Sequence, residues 1–319
     1  MTLLTGAMRV PASGPGRPGR RDYEEPGVAV RYKRFERPRP QANVTGQVAS
    51  QAEPSGHLAG VRHVLAVASG KGGVGKSTLA ANLALAFGRR GLRVGLLDAD
   101  ASGGATTSLL GVSQPAGISA DGLTPARAAG EIRLVSMDLF LPEASAEPGA
   151  SPPDALLWHR QREDNSLLGF LTETRWGDLD ILLIDLPSGR RSLRCLLDVV
   201  PGLAGVVLVT LPGGHTHRAL HAALAMLRET GTVTMGLVVN MAGLACAGCA
   251  EPLPLFAGEG GAAAAVALGV PFLGAVPFDP LLTRAASTGE VYMQAHSEAP
   301  AACAVRKIAA ALVDQLDWR

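Results

Sequence analysis

Residues 70–77 read GKGGVGKS, a glycine, four residues, then Gly75, Lys76 and Ser77. Few backbones tolerate so many glycines in so short a run. The arrangement is useful where successive N–H groups must turn inward around an anion. The flanks fit that use. HVLAVAS before it is a short apolar run with the character of a buried strand, and KSTLAANLALAFGRRG after it has helical spacing, with Leu79, Leu83, Ala86 and Phe87 on one stripe and Gly91 as its stop. A strand, a glycine loop and a helix opening on Lys-Ser make a phosphate-binding turn. The helix N-terminus adds its partial positive charge. Gly70, Lys71, Gly72, Gly73, Val74, Gly75, Lys76, Ser77 and Thr78 are therefore the candidate nucleotide-binding run. Lys76 is placed to reach the terminal phosphates and the Ser77 hydroxyl to bind Mg²⁺.

The same alternation continues. LRVGLLDAD, IRLVSM, DILLIDLP, GVVLVTLP, TMGLVVNM and VPFLGAVP read as strands, with helical patterns such as THRALHAALAMLRETG between most of them. Apolar strands alternating with amphipathic helices predict an α/β fold. Its central sheet is mostly parallel, with helices on both faces. In PAACAVRKIAAALVDQL, Val305, Ile308, Leu312 and Leu316 share a face; Arg306 and Lys307 are balanced by Asp314 and Asp317, so core packing is expected rather than a membrane surface.

Residues 1–60 differ. GPGRPGRRDYEEPG and RYKRFERPRP are rich in Pro, Gly and Arg and carry no period. Such a segment buries too little apolar surface to offset its ordering entropy, so it is expected to be a disordered tail. Residues 61–319 form the folded domain, with a cysteine-bearing loop at about 241–258. The net charge of +1 gives no bulk field for nucleic acid, and no apolar run is long enough to span a bilayer. Four cysteines are too few for a disulfide scaffold, so the chain reads as a cytoplasmic protein with reduced thiols.

Acidic strand ends complete the first site. Asp185 closes ILLIDLP and can orient the Mg²⁺ shell; Asp98 and Asp100 in LLDAD can position an attacking water and hold metal waters. Lys71, directly after the first glycine, is not required by the general pattern. SGKGGVGKST followed by GLRVGLLDAD resembles the deviant phosphate-loop ATPases of the MinD/ParA group. The resemblance implies a P-loop NTPase fold that dimerises around ATP. It implies that Lys71 crosses to the partner's nucleotide, that Asp100 helps activate water, and that Asn240 and the loop around Pro277 contact adenine. The catalytic set it implies is Lys71, Lys76 and Asp100.

Cys246 and Cys249 stand in GLACAGCAEPLP. A redox pair, two inert buried thiols and a metal or cluster site are all open from the residues alone, although Pro252 and Pro254 argue against the long helix that a redox pair normally begins. Zinc or a cubane cluster wants about four ligands. A second subunit can supply the other two. Cys195 and Cys303 read as buried small hydrophobes.

VVNMAGLACAGCAEPLPLFAGEGG followed by LGVPFLGAVPFDP resembles the Mrp/ApbC/Nbp-type iron–sulfur carrier ATPases, and the likeness runs from about residue 63 to 316. It implies a homodimer whose Cys246 and Cys249 pairs bridge a labile 4Fe–4S cluster, later passed to apo iron–sulfur proteins. Two nucleotide-sensing loops depart from that pattern. Asp100 is followed by ASGGAT, and LPSGRRS brings Ser188, Arg190, Arg191 and Ser192 where the family commonly has L-P-P-G-T-G-D. ATP binding with slow hydrolysis is the expectation. A positioning or regulatory switch without cluster transfer, possibly zinc-stapled, is the alternative.

Overall fold

A computed structural model describes residues 58–100, 105–119, 122–136, 139, 163–200, 202–213, 217–245, 252–253, 255–256 and 260–318. Residues 1–57 of the segment expected to be a tail, and both Cys246 and Cys249, lie outside the described residues, whereas Leu58 packs against the folded core.

In chain order the elements are β1 (Val61–Ser69), α1 (Lys76–Gly88), β2 (Val94–Asp98), α2 (Ala105–Leu110), β3 (Val112–Gln114), β4 (Gly117–Ser119), β5 (Gly122–Thr124), β6 (Ala126–Ala128), β7 (Ile132–Ser136) and α3 (Glu163–Glu173). They continue with β8 (Leu179–Asp185), α4 (Arg190–Val199), β9 (Gly205–Thr210), α5 (His217–Glu229), β10 (Thr234–Ala245), β11 (Pro252–Leu253), α6 (Gly261–Leu268), β12 (Phe272–Phe278), α7 (Pro280–Thr288), α8 (Tyr292–Ala295) and α9 (Pro300–Asp314). The sheet runs β11-β10-β9-β1-β8-β2-β7-β6-β3, with β12 also paired to β10. The six strands β10, β9, β1, β8, β2 and β7 are parallel, as is β12 against β10. The expected mostly parallel sheet is what forms. The short antiparallel strands β3, β6 and β11, and the separate β4–β5 hairpin, are additions that apolar runs did not disclose.

Parallel strands covered on both faces need apolar residues at every position, and β2 and β9 are buried throughout. One core lies beneath α1, α2, α7, α8 and α9, and the other beneath α3, α4, α5 and α6. Val305, Ile308 and Leu312 of α9 are buried as their spacing predicted, each worth roughly 1.5–3 kcal/mol of burial. The stripe reading of α1 was too narrow. Every residue from Leu79 to Phe87 is buried, because α9 and α2 pack on α1 as well as the sheet. Cys195 and Cys303 are half-buried rather than buried; Arg306 Nη2 approaches Cys303 Sγ at 3.2 Å. Among the described residues no helix is long and apolar enough to cross a membrane.

Strand order places the chemistry. β1 sits between β8 and β9, and Asp98 and Asp185 are register partners on adjacent β2 and β8. The phosphate-binding turn and both acids therefore share the carboxyl edge, where open parallel sheets bind ligands.

Candidate nucleotide site

Gly73 and Gly75 take φ of 76° and 78°, left-handed values that an L-residue seldom adopts. Gly75 meets a second constraint, since a Cβ there would stand 2.2 Å from Asn240 Nδ2. The turn delivers Lys76 and Ser77 at the start of α1, with Val74 buried beneath it. Gly70 is closely approached by Ala219 of α5, and Ser69 Oγ donates to the Lys71 carbonyl at 3.0 Å. Lys71 itself is exposed.

Lys76 Nζ donates to Asp185 Oδ1 at 2.5 Å, and both side chains are buried. Burial pushes the Asp185 carboxyl upward; Lys76 and the Ser77 hydroxyl oppose that shift. Among the described residues, Asp185 Oδ2 is buried without a hydrogen-bond partner. An orphaned carboxylate oxygen beside Lys76 and Ser77 suits the hydration shell of a divalent cation, so the residues fit Mg²⁺ bound with a nucleotide.

Asp98 has different company. Its Oδ1 accepts the Asp100 amide at 3.0 Å, and its Oδ2 accepts the Thr106 hydroxyl at 2.5 Å and the Ser136 hydroxyl at 3.4 Å. Burial, then the Asp185 charge, raises its carboxyl to about 6.

Asn240 closes the other side. Its Nδ2 donates to the Val74 carbonyl at 2.9 Å, tying β10 to the phosphate-binding turn. One Nδ2 hydrogen is used in that bond, which leaves the second N–H and the Oδ1 acceptor of Asn240 to face a ligand. Gly75, Thr78, Asn240, Met241, Pro277, Phe278, Asp279 and Leu282 line a cavity of about 170 Å³. The sequence brought Asn240 and Pro277 to this place; it did not announce Met241, held at φ 53°, or Asp279. Asp279 caps α7 through the Leu281 amide and accepts from Tyr292 Oη at 2.5 Å. Its signal was present in Asp279-Pro280, a capping acid before proline at the first helical position. Thr106 and Ser136 had no such signal, because nothing local ties them to a carboxylate 8 and 38 residues away in the chain.

The altered loop after Asp185 packs on the turn: the Gly189 amide donates to Ser69 O at 3.4 Å, and Ser188 Oγ lies beside Gly72. Ser192 is buried, while Arg190, Arg191 and Arg194 line an open groove with Cys195, Asp198 and Met226.

A family model of the ParA type, described as the NUBPL iron-transfer P-loop NTPase, matches residues 60–313. The chain belongs to this family. Similar members include the cytosolic Fe-S cluster assembly factor NUBP2 of Homo sapiens, 36% identical over 271 residues, covering 82% of this chain and 96% of that protein. The Danio rerio counterpart is 35% identical, covering 82% and 97%. Among solved structures, a nucleotide-binding protein from Archaeoglobus fulgidus in complex with ADP is 30% identical, with a TM-score of 0.64 over 78% of this chain and 93% of that one. The cell division ATPase MinD of Pyrococcus furiosus, 23% identical with a TM-score of 0.57 over 80% and 99%, shares the fold. This family member is thus a P-loop NTPase, with the phosphate-binding turn, the acids and the Asn240 cavity on one edge.

Proposed function

We propose that this chain is a cytoplasmic ATP-dependent iron–sulfur carrier. A labile 4Fe–4S cluster is its cargo, held between the Cys246 and Cys249 pairs of two copies and released to apo iron–sulfur proteins. The observation that carries the reading is the course of β10. Asn240 in that strand bonds the phosphate-binding turn, and the strand ends at Ala245, immediately before the segment that bears both thiols. Ala245 and Pro252 are register partners of β10 and β11, so both ends of that segment are fixed to the sheet. A nucleotide that moves Asn240 pulls on the strand that leads to the cysteines. Two thiols per chain leave a cluster two ligands short, and a second copy supplies them.

ATP would be held by Gly70–Thr78 with adenine in the Asn240–Pro277 cavity, Mg²⁺ by Ser77 and through water by Asp185. Lys71 would reach the partner's nucleotide, and Asp100 would position the attacking water. The relatives named as cytosolic Fe-S cluster assembly factors support the cargo and the compartment. The test is transfer. Protein reconstituted anaerobically with iron and sulfide is mixed with an apo-ferredoxin under chelator, with and without Mg-ATP. The proposal expects holo-ferredoxin to form from wild type and not from Cys246→Ala or Cys249→Ala. Equal transfer from the cysteine variants overturns it.

A further inference from the structure

Asp98 occupies a strand end at the carboxyl edge, beside Asp185, where a carboxylate would be expected to face a metal. It faces the protein instead. The side chain is 1% exposed, and both oxygens are engaged by three groups from three elements or their edges. The Asp100 amide binds Oδ1, which folds residues 98–100 into the tight side-chain turn that aspartate makes with the backbone two residues on. Thr106, in the first turn of α2 and fully buried, donates to Oδ2 at 2.5 Å. Ser136, the register partner of Asp98 on β7, donates to the same oxygen more weakly at 3.4 Å. Asp98 is thus clasped by two groups that follow it in sequence, the Asp100 amide and the Thr106 hydroxyl of α2, and by Ser136 of the adjacent strand.

We propose that Thr106 is a positioning residue for ATP hydrolysis: by fixing the Asp98 carboxylate it fixes the backbone of Asp100, and so the place of the Asp100 side chain. The inference rests on reading Asp100 as the carboxylate that orients the attacking water; it does not depend on iron. Without the Thr106 hydroxyl, the long Ser136 bond is what Oδ2 keeps among the described residues, and the carboxylate can rotate and release the Asp100 amide. A water-orienting group displaced by an ångström loses turnover steeply while the phosphates stay bound to the glycine turn, about ten- to a hundredfold in rate.

The experiment measures single-turnover hydrolysis of radiolabelled Mg-ATP and, separately, the Kd of a non-hydrolysable ATP analogue. Wild type, Thr106→Val, Thr106→Ser and Asp100→Asn are compared. Thr106→Val is expected to slow hydrolysis at least tenfold with analogue Kd within about threefold of wild type. Thr106→Ser, which restores the hydroxyl, is expected to recover most of the rate. Should Thr106→Val fail to fold, Thr106→Ala carries the test: it removes the same hydroxyl and is likewise expected to slow hydrolysis at least tenfold with analogue Kd within about threefold of wild type. Thr106→Val at wild-type rate beside an inactive Asp100→Asn overturns the inference alone. Asp100→Asn at wild-type rate removes the group being placed and overturns the reading of Asp100 with it. Equal losses of rate and analogue affinity in Thr106→Val also overturn it, since they mark a general structural role.

Discussion

Lys76 Nζ stands 2.5 Å from Asp185 Oδ1, across the gap between the start of α1 and the end of β8, with both side chains buried. The lysine proposed to reach phosphate is thus partnered by the carboxylate proposed for the metal shell. If nucleotide and Mg²⁺ bind as proposed, they exchange that contact for two new ones.

Removing one partner should therefore cost more than removing both. Lys76→Met leaves a buried carboxylate uncompensated and is expected to destabilise the nucleotide-free protein by about 3–5 kcal/mol. Lys76→Met with Asp185→Asn is expected to recover most of that loss. Urea unfolding without nucleotide, with Asp185→Asn alone as the fourth corner, measures the coupling; additive losses would show that the pair carries none.

Gly75→Ala combines a left-handed φ of 78° with a contact of 2.2 Å against Asn240 Nδ2. The variant must move Asn240 off the Val74 carbonyl. ATP affinity is expected to fall by about 1–3 kcal/mol, the cost of a broken buried hydrogen bond, before any loss of phosphate contacts. Calorimetric titration with an ATP analogue reads it, and unchanged affinity would mean that Asn240 does not shape the site.

Much of this was legible in the sequence because it is local. The phosphate-binding turn, the parallel strands and the α9 stripe each follow from spacing within one element. Asn240 and Pro277 came only through resemblance, since nothing in their own neighbourhood points toward residue 75. The Asp98 clasp was not legible. Its Ser136 bond depends on β7 lying beside β2, a fact of strand order that no run of residues records, and its Thr106 bond on how the chain packs back against residue 98. The antiparallel strands β3 and β6 escaped for another reason: three-residue strands on a sheet edge are too short to show a period.

Asp98 should also shape stability against pH. Its carboxyl is raised to about 6, so the folded protein holds that proton more tightly than the unfolded chain. Stability from this group is then lost as pH rises from about 4 to 6 and is constant above. Asp98→Asn lacks the titration. Relative to the variant, wild type is expected to lose about 2–3 kcal/mol between pH 4 and 7. Unfolding midpoints of both proteins across that range check the sign; parallel profiles would contradict it.

The loop after Asp185 carries Ser188, Arg190, Arg191 and Ser192 while the phosphate-binding turn is intact. ATP should bind normally, with kcat about tenfold or more below relatives that keep the common loop. Steady-state phosphate release beside such a relative decides it, and matching rates would show that these substitutions are neutral.

The central claim is that two copies share one cluster through Cys246 and Cys249. Its most direct test is anaerobic reconstitution, followed by iron, sulfide and zinc counted per dimer for wild type and Cys249→Ala. A cluster on four thiolate ligands gives about four irons per dimer with matching sulfide, lost in the variant. Zinc in place of iron, or iron that survives the loss of Cys249, would contradict it.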